Sequence, residues 1–332
     1  MIIGQGDFRY ELHEGWEQLP QGWSHGDVAG VATDSQDCVY VFNRGDHPLI
    51  VYNRDGSFIK SWGEGVFKRP HGITIHDDIV YLADDSDHTV RKFTLDGELL
   101  MTLGTLNTPS DTGYDPTVST RLTTIAHGGG PFNRPTRLTV APNGDLYVSD
   151  GYGNARIHQF RADGTFVKSW GGPGNGKGEF NLPHSVWAHT DGRLFVCDRE
   201  NERVQVFAPD GEFLEMWTNM GRPGDLYIGP QEEVYIGEMD FWKDHYSLTG
   251  KLWDRDQLSC VTVRDLKGSV ICKFGGEEAY GDPCSANNFT SPHGIWVDSH
   301  GDVYVGEVTF TTHDQTPKRP GCHSLQKFVR VR

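Results

Sequence analysis

NLPHSVWAHTDGRLFVCDRENERVQVFAPD (residues 181–210) is the stretch whose reading decides the fold. SVWA (185–188) and LFVCD (194–198) are apolar runs of strand length, and the Asp-Gly at 191–192 between them is a hairpin signal. A third run, RVQVF (203–207), follows, and a second Asp-Gly at 210–211 closes the unit. His184, after Pro183, stands just before the first run. Asp198 and Arg199 stand at the end of the second.

The same unit recurs along the chain. Copies occupy 28–63, 69–104, 134–171 and the quoted stretch, which ends near Trp217. A fifth opens at 222–240 and is stretched by an insertion. A sixth opens at 291–310 and finishes with LQKFVRVR (325–332). Each copy supplies about four short strands, and repeats of roughly 40 residues with this strand content are the signature of a β-propeller. The expectation is an all-β, six-bladed β-propeller forming one domain over residues 1–332. The sixth copy lacks a fourth strand. The N-terminal segment FRYELHEGWEQL (8–19) is expected to supply it and so close the ring, which removes exposed sheet edges. Three segments break the rhythm: 105–131, 240–258 and 309–323. Long loops in a compact fold are commonly functional or disordered, and some of these are expected to wall one mouth of the channel.

Composition narrows the function. The net charge of −16, from 46 acidic against 30 basic residues, opposes binding to phosphate-rich nucleic acid. No run of 18 apolar residues offers a membrane span. The first residues, MIIGQGDFRYELHEG, have no basic segment leading into an apolar one, so a cytoplasmic location is expected. The six cysteines show no CxxC spacing and read as mostly free thiols, with Cys260 and Cys272 placed as possible cross-strand neighbours.

Function enters through what differs between copies. At the start of the innermost strand the copies carry Ala29, His71, Thr136, His184, Gly224 and His293. Histidine occurs in alternate copies only. In a six-membered ring those three imidazoles converge on the channel, the facial arrangement of a catalytic zinc site, with iron, cobalt or manganese also compatible. The competing reading makes them strand caps. After the second strand stand Asn43, Asp84, Asp150, Asp198, Glu238 and Glu307, read as structural acceptors for backbone N–H groups. One position further, Arg44 and Arg199 occupy copies one and four. Two guanidiniums there suit a carboxylate or a developing alkoxide; the alternative is surface pairing with Asp46 and Glu202. Tyr152 lies on the same rim in the third copy. Cations favour the charged form of a phenol, and a tyrosine so placed serves as a general acid or base.

These residues resemble those of the peptidyl-α-hydroxyglycine α-amidating lyases, which are built of NHL repeats. The matching segments are VFNRGDH (41–47), SDGYGNARI (149–157), LPHSV (182–186), DRENERVQVF (198–207) and the PHG triplets at 70–72 and 292–294. The resemblance implies a six-bladed propeller with zinc on His71, His184 and His293, and with Tyr152, Arg44 and Arg199 as catalytic residues. It implies cleavage of a carbinolamide into an amide and an aldehyde, on a small-molecule or peptide-end substrate that is anionic. It also brings a structural calcium whose carbonyl ligands fall on Val31 and Ile73. The carboxylate ligand of that calcium should follow the third histidine, where this chain has Gly294. Two other functions fit the same residues: metal-assisted hydrolysis of an ester, lactone or amide, and a non-catalytic NHL binding module.

Overall fold

A computed structural model describes residues 2–276, 284–310 and 322–331. Apart from two short 3₁₀ turns, the regular structure among the described residues is β, arranged as six antiparallel sheets. The fold is a six-bladed β-propeller, as the repeat predicts. Two compact units can be described. One comprises residues 67–223 and 242–255 and holds blades 2, 3 and 4; the other comprises 1–66, 224–241 and 256–332 and holds blades 1, 5 and 6.

The quoted stretch forms blade 4 from strands Pro183–Ala188, Leu194–Asp198, Arg203–Phe207 and Phe213–Trp217, in chain order. Pairing of the first two ends at Ala188 with Leu194, so the connection is a five-residue loop and longer than a two-residue hairpin. Asp191 accepts the Arg193 backbone N–H at 2.9 Å, and Gly192 takes φ +90°. Its lack of a Cβ makes that left-handed conformation inexpensive. The middle strands are buried along their length. Within the first unit, Tyr147, Ile157, Val186, Val196 and Phe207 form one such interblade core. Phe132, Leu138, Val148 and Phe160 join Tyr81, Ala83 and Leu103 in another.

In the second unit the last sheet has five strands, in the order Ile2–Gln5, Phe8–Leu12, Leu325–Arg330, Val303–Glu307 and Pro292–Val297. The N-terminal strand therefore pairs with the last blade as anticipated, through Tyr10 with Arg330 and Leu12 with Phe328. It is shorter than 8–19, and a further strand lies outside it. Fully buried Tyr10 lies 3.0 Å, hydroxyl to hydroxyl, from Tyr235, and burial pushes its phenol up to about 12. Burying such a ring stabilises the closure by about 1.5–3 kcal/mol. Residues 13–19 are not strand; there Trp16 packs on Tyr52 of blade 1 and Tyr304 of blade 6.

The cysteine reading is corrected in part. Cys284 and Cys322 form a disulfide, whereas Cys38, Cys197, Cys260 and Cys272 keep their thiols. Cys260 and Cys272 share a hairpin but are not paired: Cys260 faces Gly275 and Cys272 faces Val263. No helix among the described residues is long and apolar enough to cross a membrane.

Candidate metal centre

His71 and His184 open the innermost strands of blades 2 and 4, each preceded by a proline. Proline suits the first position of a strand, where its fixed φ is tolerated and its missing N–H costs no ladder bond. Both imidazoles are buried. Nδ1 of His71 lies 2.7 Å from the Thr136 carbonyl oxygen. A carbonyl only accepts, so Nδ1 carries the proton and Nε2 keeps its lone pair. In the other unit His293 is likewise buried and donates from Nδ1 to the Ala29 carbonyl at 2.8 Å. Within the first unit the His71 and His184 rings stand 4.8 Å apart, centre to centre, and His293 offers a third buried imidazole of the same form in the second. Buried imidazoles with the proton held on the far nitrogen by a backbone carbonyl are the usual state of metal-ligating histidine. The donor set fits zinc or another first-row divalent ion.

The glycines of the PHG triplets have a steric cause. A Cβ on Gly72 would fall 2.3 Å from the Thr136 carbonyl oxygen, and one on Gly294 would fall 2.7 Å from Gly30 Cα. The innermost strands approach too closely for a side chain there. A carboxylate at position 294 is excluded on the same ground, so the calcium of the resembling lyases does not fit this chain.

Tyr152 brings the blade 2–4 residues together. It is buried, and its hydroxyl lies 3.1 Å from His184 Nε2 and 3.3 Å from His71 Nε2. Arg199 Nη1 donates to the same oxygen at 3.3 Å. Two of the three irregular segments cover the ring. Leu122 and Ile125 from the 105–131 loop and Leu248 from the insertion form an apolar cluster with Tyr152 and Leu182. The Leu122 N–H donates to the Leu248 carbonyl. Of the insertion residues, Phe241 is buried, Trp242 half-buried, and His245 and Tyr246 exposed. His323 pairs with Glu307, while His313 lies outside the described residues.

Neither arginine follows the surface-pairing alternative. Arg199 is 1% exposed and pairs with Glu200 at 3.0 Å; Glu202 is taken by Lys251 and Arg255. Arg44 pairs with buried Asp27 at 3.4 Å. Arg199 Nη2 is buried without a hydrogen-bond partner among the described residues. The acceptor position behaves as read in five copies. Asn43, Asp84, Asp150, Asp198 and Glu307 accept backbone N–H bonds from the approach to their own blade's first strand. Glu238 accepts the Thr262 hydroxyl and pairs with Arg264.

Five further charged groups around Tyr152 escaped the sequence reading. Arg69 and Arg134 place their guanidinium carbons 5.7 Å from its ring centre, with Arg199 at 5.5 Å. Asp85 binds both Arg69 and Arg134. Arg222 joins Arg199 on Glu200, at 2.6 Å. Burial alone would raise the Glu200 carboxyl, but Arg222 and then Arg199 outweigh it and hold it below the ordinary range. Four guanidiniums against two carboxylates leave a positive cluster in a chain of net charge −16. The signal was present: Arg69, Arg134 and Arg222 each precede the proline of an innermost strand.

Residues 132–160 and 180–207 match the NHL repeat. Human NHL repeat-containing protein 3 is 35% identical over 335 residues, spanning 96% of this chain and 84% of that protein. The chain belongs to the NHL-repeat family. This NHL-repeat chain is also 33% identical over 275 residues to peptidyl-alpha-hydroxyglycine alpha-amidating lyase 1 of Drosophila melanogaster, spanning 74% of the chain and 44% of the relative. Among solved structures, a streptogramin B lyase superposes with a TM-score of 0.57 over 96% of this chain and 97% of that one. At 14% identity that match speaks for the propeller fold alone.

Proposed function

We propose that this protein is a metal-dependent lyase that splits the N–C(OH) bond of a carbinolamide, giving an amide and an aldehyde. His71, His184 and His293 hold one divalent ion, zinc by preference, with iron, cobalt or manganese as alternatives. A bound ion would supply Lewis acidity toward the substrate hydroxyl. Tyr152 moves the proton: its oxygen takes the hydroxyl proton and returns it to the leaving nitrogen. The C–N electron pair goes to nitrogen as the carbonyl forms, so atoms balance without water. Leu122, Ile125, Leu182 and Leu248 keep water from the phenol. Arg199 and Arg44 hold the anionic part of the substrate, a small molecule or a peptide end, and Arg199 has an unfilled buried donor for that purpose. The observation that carries this reading is the position of the Tyr152 hydroxyl, within hydrogen-bond reach of two of the histidines and of Arg199.

The test is metal analysis of the wild type and His184→Ala, together with turnover of N-benzoyl-α-hydroxyglycine. About one ion per chain is expected in the wild type and a large loss in the variant, with benzamide and glyoxylate as products. Benzoate carrying oxygen from labelled water, in place of benzamide, would transfer the site to hydrolysis. Metal-free, inert protein would leave a propeller that only binds partners.

A further inference from the structure

We propose that Asp85 is the positioning residue for Tyr152: it clamps Arg69 and Arg134 against the phenol ring and so fixes the hydroxyl beside His71 and His184. The inference rests on the lyase reading for its kinetic readout, and it concerns residues which that reading leaves without a role.

The hydrogen bonds of Tyr152 fix only its oxygen. Its ring needs walls, and three of them are guanidinium groups. Arginine side chains give up much rotamer freedom when held in place, and like charges around one ring repel. A shared anion is what brings them together. The Asp85 side chain is fully buried and binds Nη1 of Arg69 through one oxygen. Through the other it binds Nη2 of Arg134, at 3.3 Å. Its own backbone N–H donates to the Arg69 carbonyl, and the Ser86 hydroxyl donates to Oδ1 at 2.9 Å. Arg134 also reaches the Tyr114 hydroxyl, at 3.5 Å. Burial opposes the Arg134 charge, yet Asp85 more than restores it. Arg199, the third wall, has its own anchor in Glu200. Asp85 thus organises the side of the ring that Glu200 does not reach.

The experiment uses the full chain as wild type, Asp85→Asn, Arg134→Gln, Tyr152→Phe and the Asp85→Asn/Tyr152→Phe double variant, assayed on N-benzoyl-α-hydroxyglycine with metal content measured alongside. Asp85→Asn is expected to lower kcat about 10–100-fold, the scale of a misplaced catalytic group, with KM within about threefold and bound metal unchanged. In the Tyr152→Phe background it is expected to cost nothing more, since residues acting through one another are non-additive. A generic structural role would give losses that multiply, and that result overturns the proposal, as does full activity of Asp85→Asn. If Asp85→Asn fails to fold, Arg134→Gln, less buried, must show the same kcat loss at unchanged KM. An inert wild type overturns the lyase reading and this inference with it; an active wild type with multiplying losses overturns this inference alone.

Discussion

Blades 1 and 2 carry the same ion pair with its ends exchanged. In each, the residue before the innermost strand and the first residue after the next strand are joined by a backbone hydrogen bond: Arg44 N–H to the Asp27 carbonyl, and Asp85 N–H to the Arg69 carbonyl. The pair reads Asp27–Arg44 in blade 1 and Arg69–Asp85 in blade 2. The backbone bond is the repeat's; the charge order is each blade's own. The consequences differ because the two acids face different neighbours. Asp27 also accepts the N–H groups of Thr309 and Phe310, at 2.7 and 2.6 Å, and so ties down chain. Asp85 holds two guanidiniums that face a phenol. The acid of blade 1 belongs to stability and the acid of blade 2 to the site.

The contrast is sharpest at Asp27. Asp27→Ala strands a buried guanidinium and two backbone donors, and is expected to cost about 3–5 kcal/mol in denaturant unfolding. A loss comparable to that of a surface substitution would break the comparison. Arg44→Gln is expected to act the other way. On the proposed lyase reading it removes a charge-assisted contact to the substrate anion worth about 1.5–3 kcal/mol, a roughly 10–100-fold fall in kcat/KM, while the backbone bonds to Asp27 hold the fold. Unchanged kinetics with a large fall in melting temperature would make Arg44 structural. Gly72→Ala probes the geometry beneath the pair: the added methyl meets the Thr136 carbonyl, with an expected penalty of about 1–3 kcal/mol. The same change at Gly130, where nothing lies within 4 Å, should be neutral.

The smallest effect belongs to an acid outside both pairs. Burial alone would raise the Asp191 carboxyl. The Arg193 N–H, His189 and the Arg193 guanidinium outweigh it and hold it down at about 2. A depressed folded-state value stabilises above the unfolded value near 4 and is lost as the pH falls toward 2. Asp191 is well exposed, so Asp191→Asn should cost under about 1 kcal/mol at pH 7, fading in urea unfolding near pH 3. A larger cost would blur the line between buried and exposed acids on which the comparison stands.

Much of the fold was legible because propeller blades are local structures. The Asp-Gly turns, the alternating short apolar runs and the copy spacing sit close together in sequence, and each needs only its neighbours to be read. The extra strand Ile2–Gln5 was not legible, because it enters the sheet through its pairing with Phe8–Leu12, which no repeat copy predicts. The Cys284–Cys322 bond was hidden for a similar reason, its partners being 38 residues apart with no spacing motif. The candidate site divides the same way. His71, His184 and His293 stand out because repeat copies can be laid over one another and the odd residue seen. Arg69, Arg134, Asp85 and Glu200 do not, because their meaning lies in which charge each one meets.

The sequence by itself determined the number of blades, the strand content and the alternate histidines, since these follow from a periodic pattern and from turn chemistry acting over a few residues. Only the tertiary structure decided the partners of the buried charges: Asp27 for Arg44, Glu200 for Arg199 and Arg222, and Asp85 for the two arginines that flank Tyr152. A buried ion needs a counter-ion within a few ångströms. Which counter-ion that is depends on how strands and loops distant in the chain are packed.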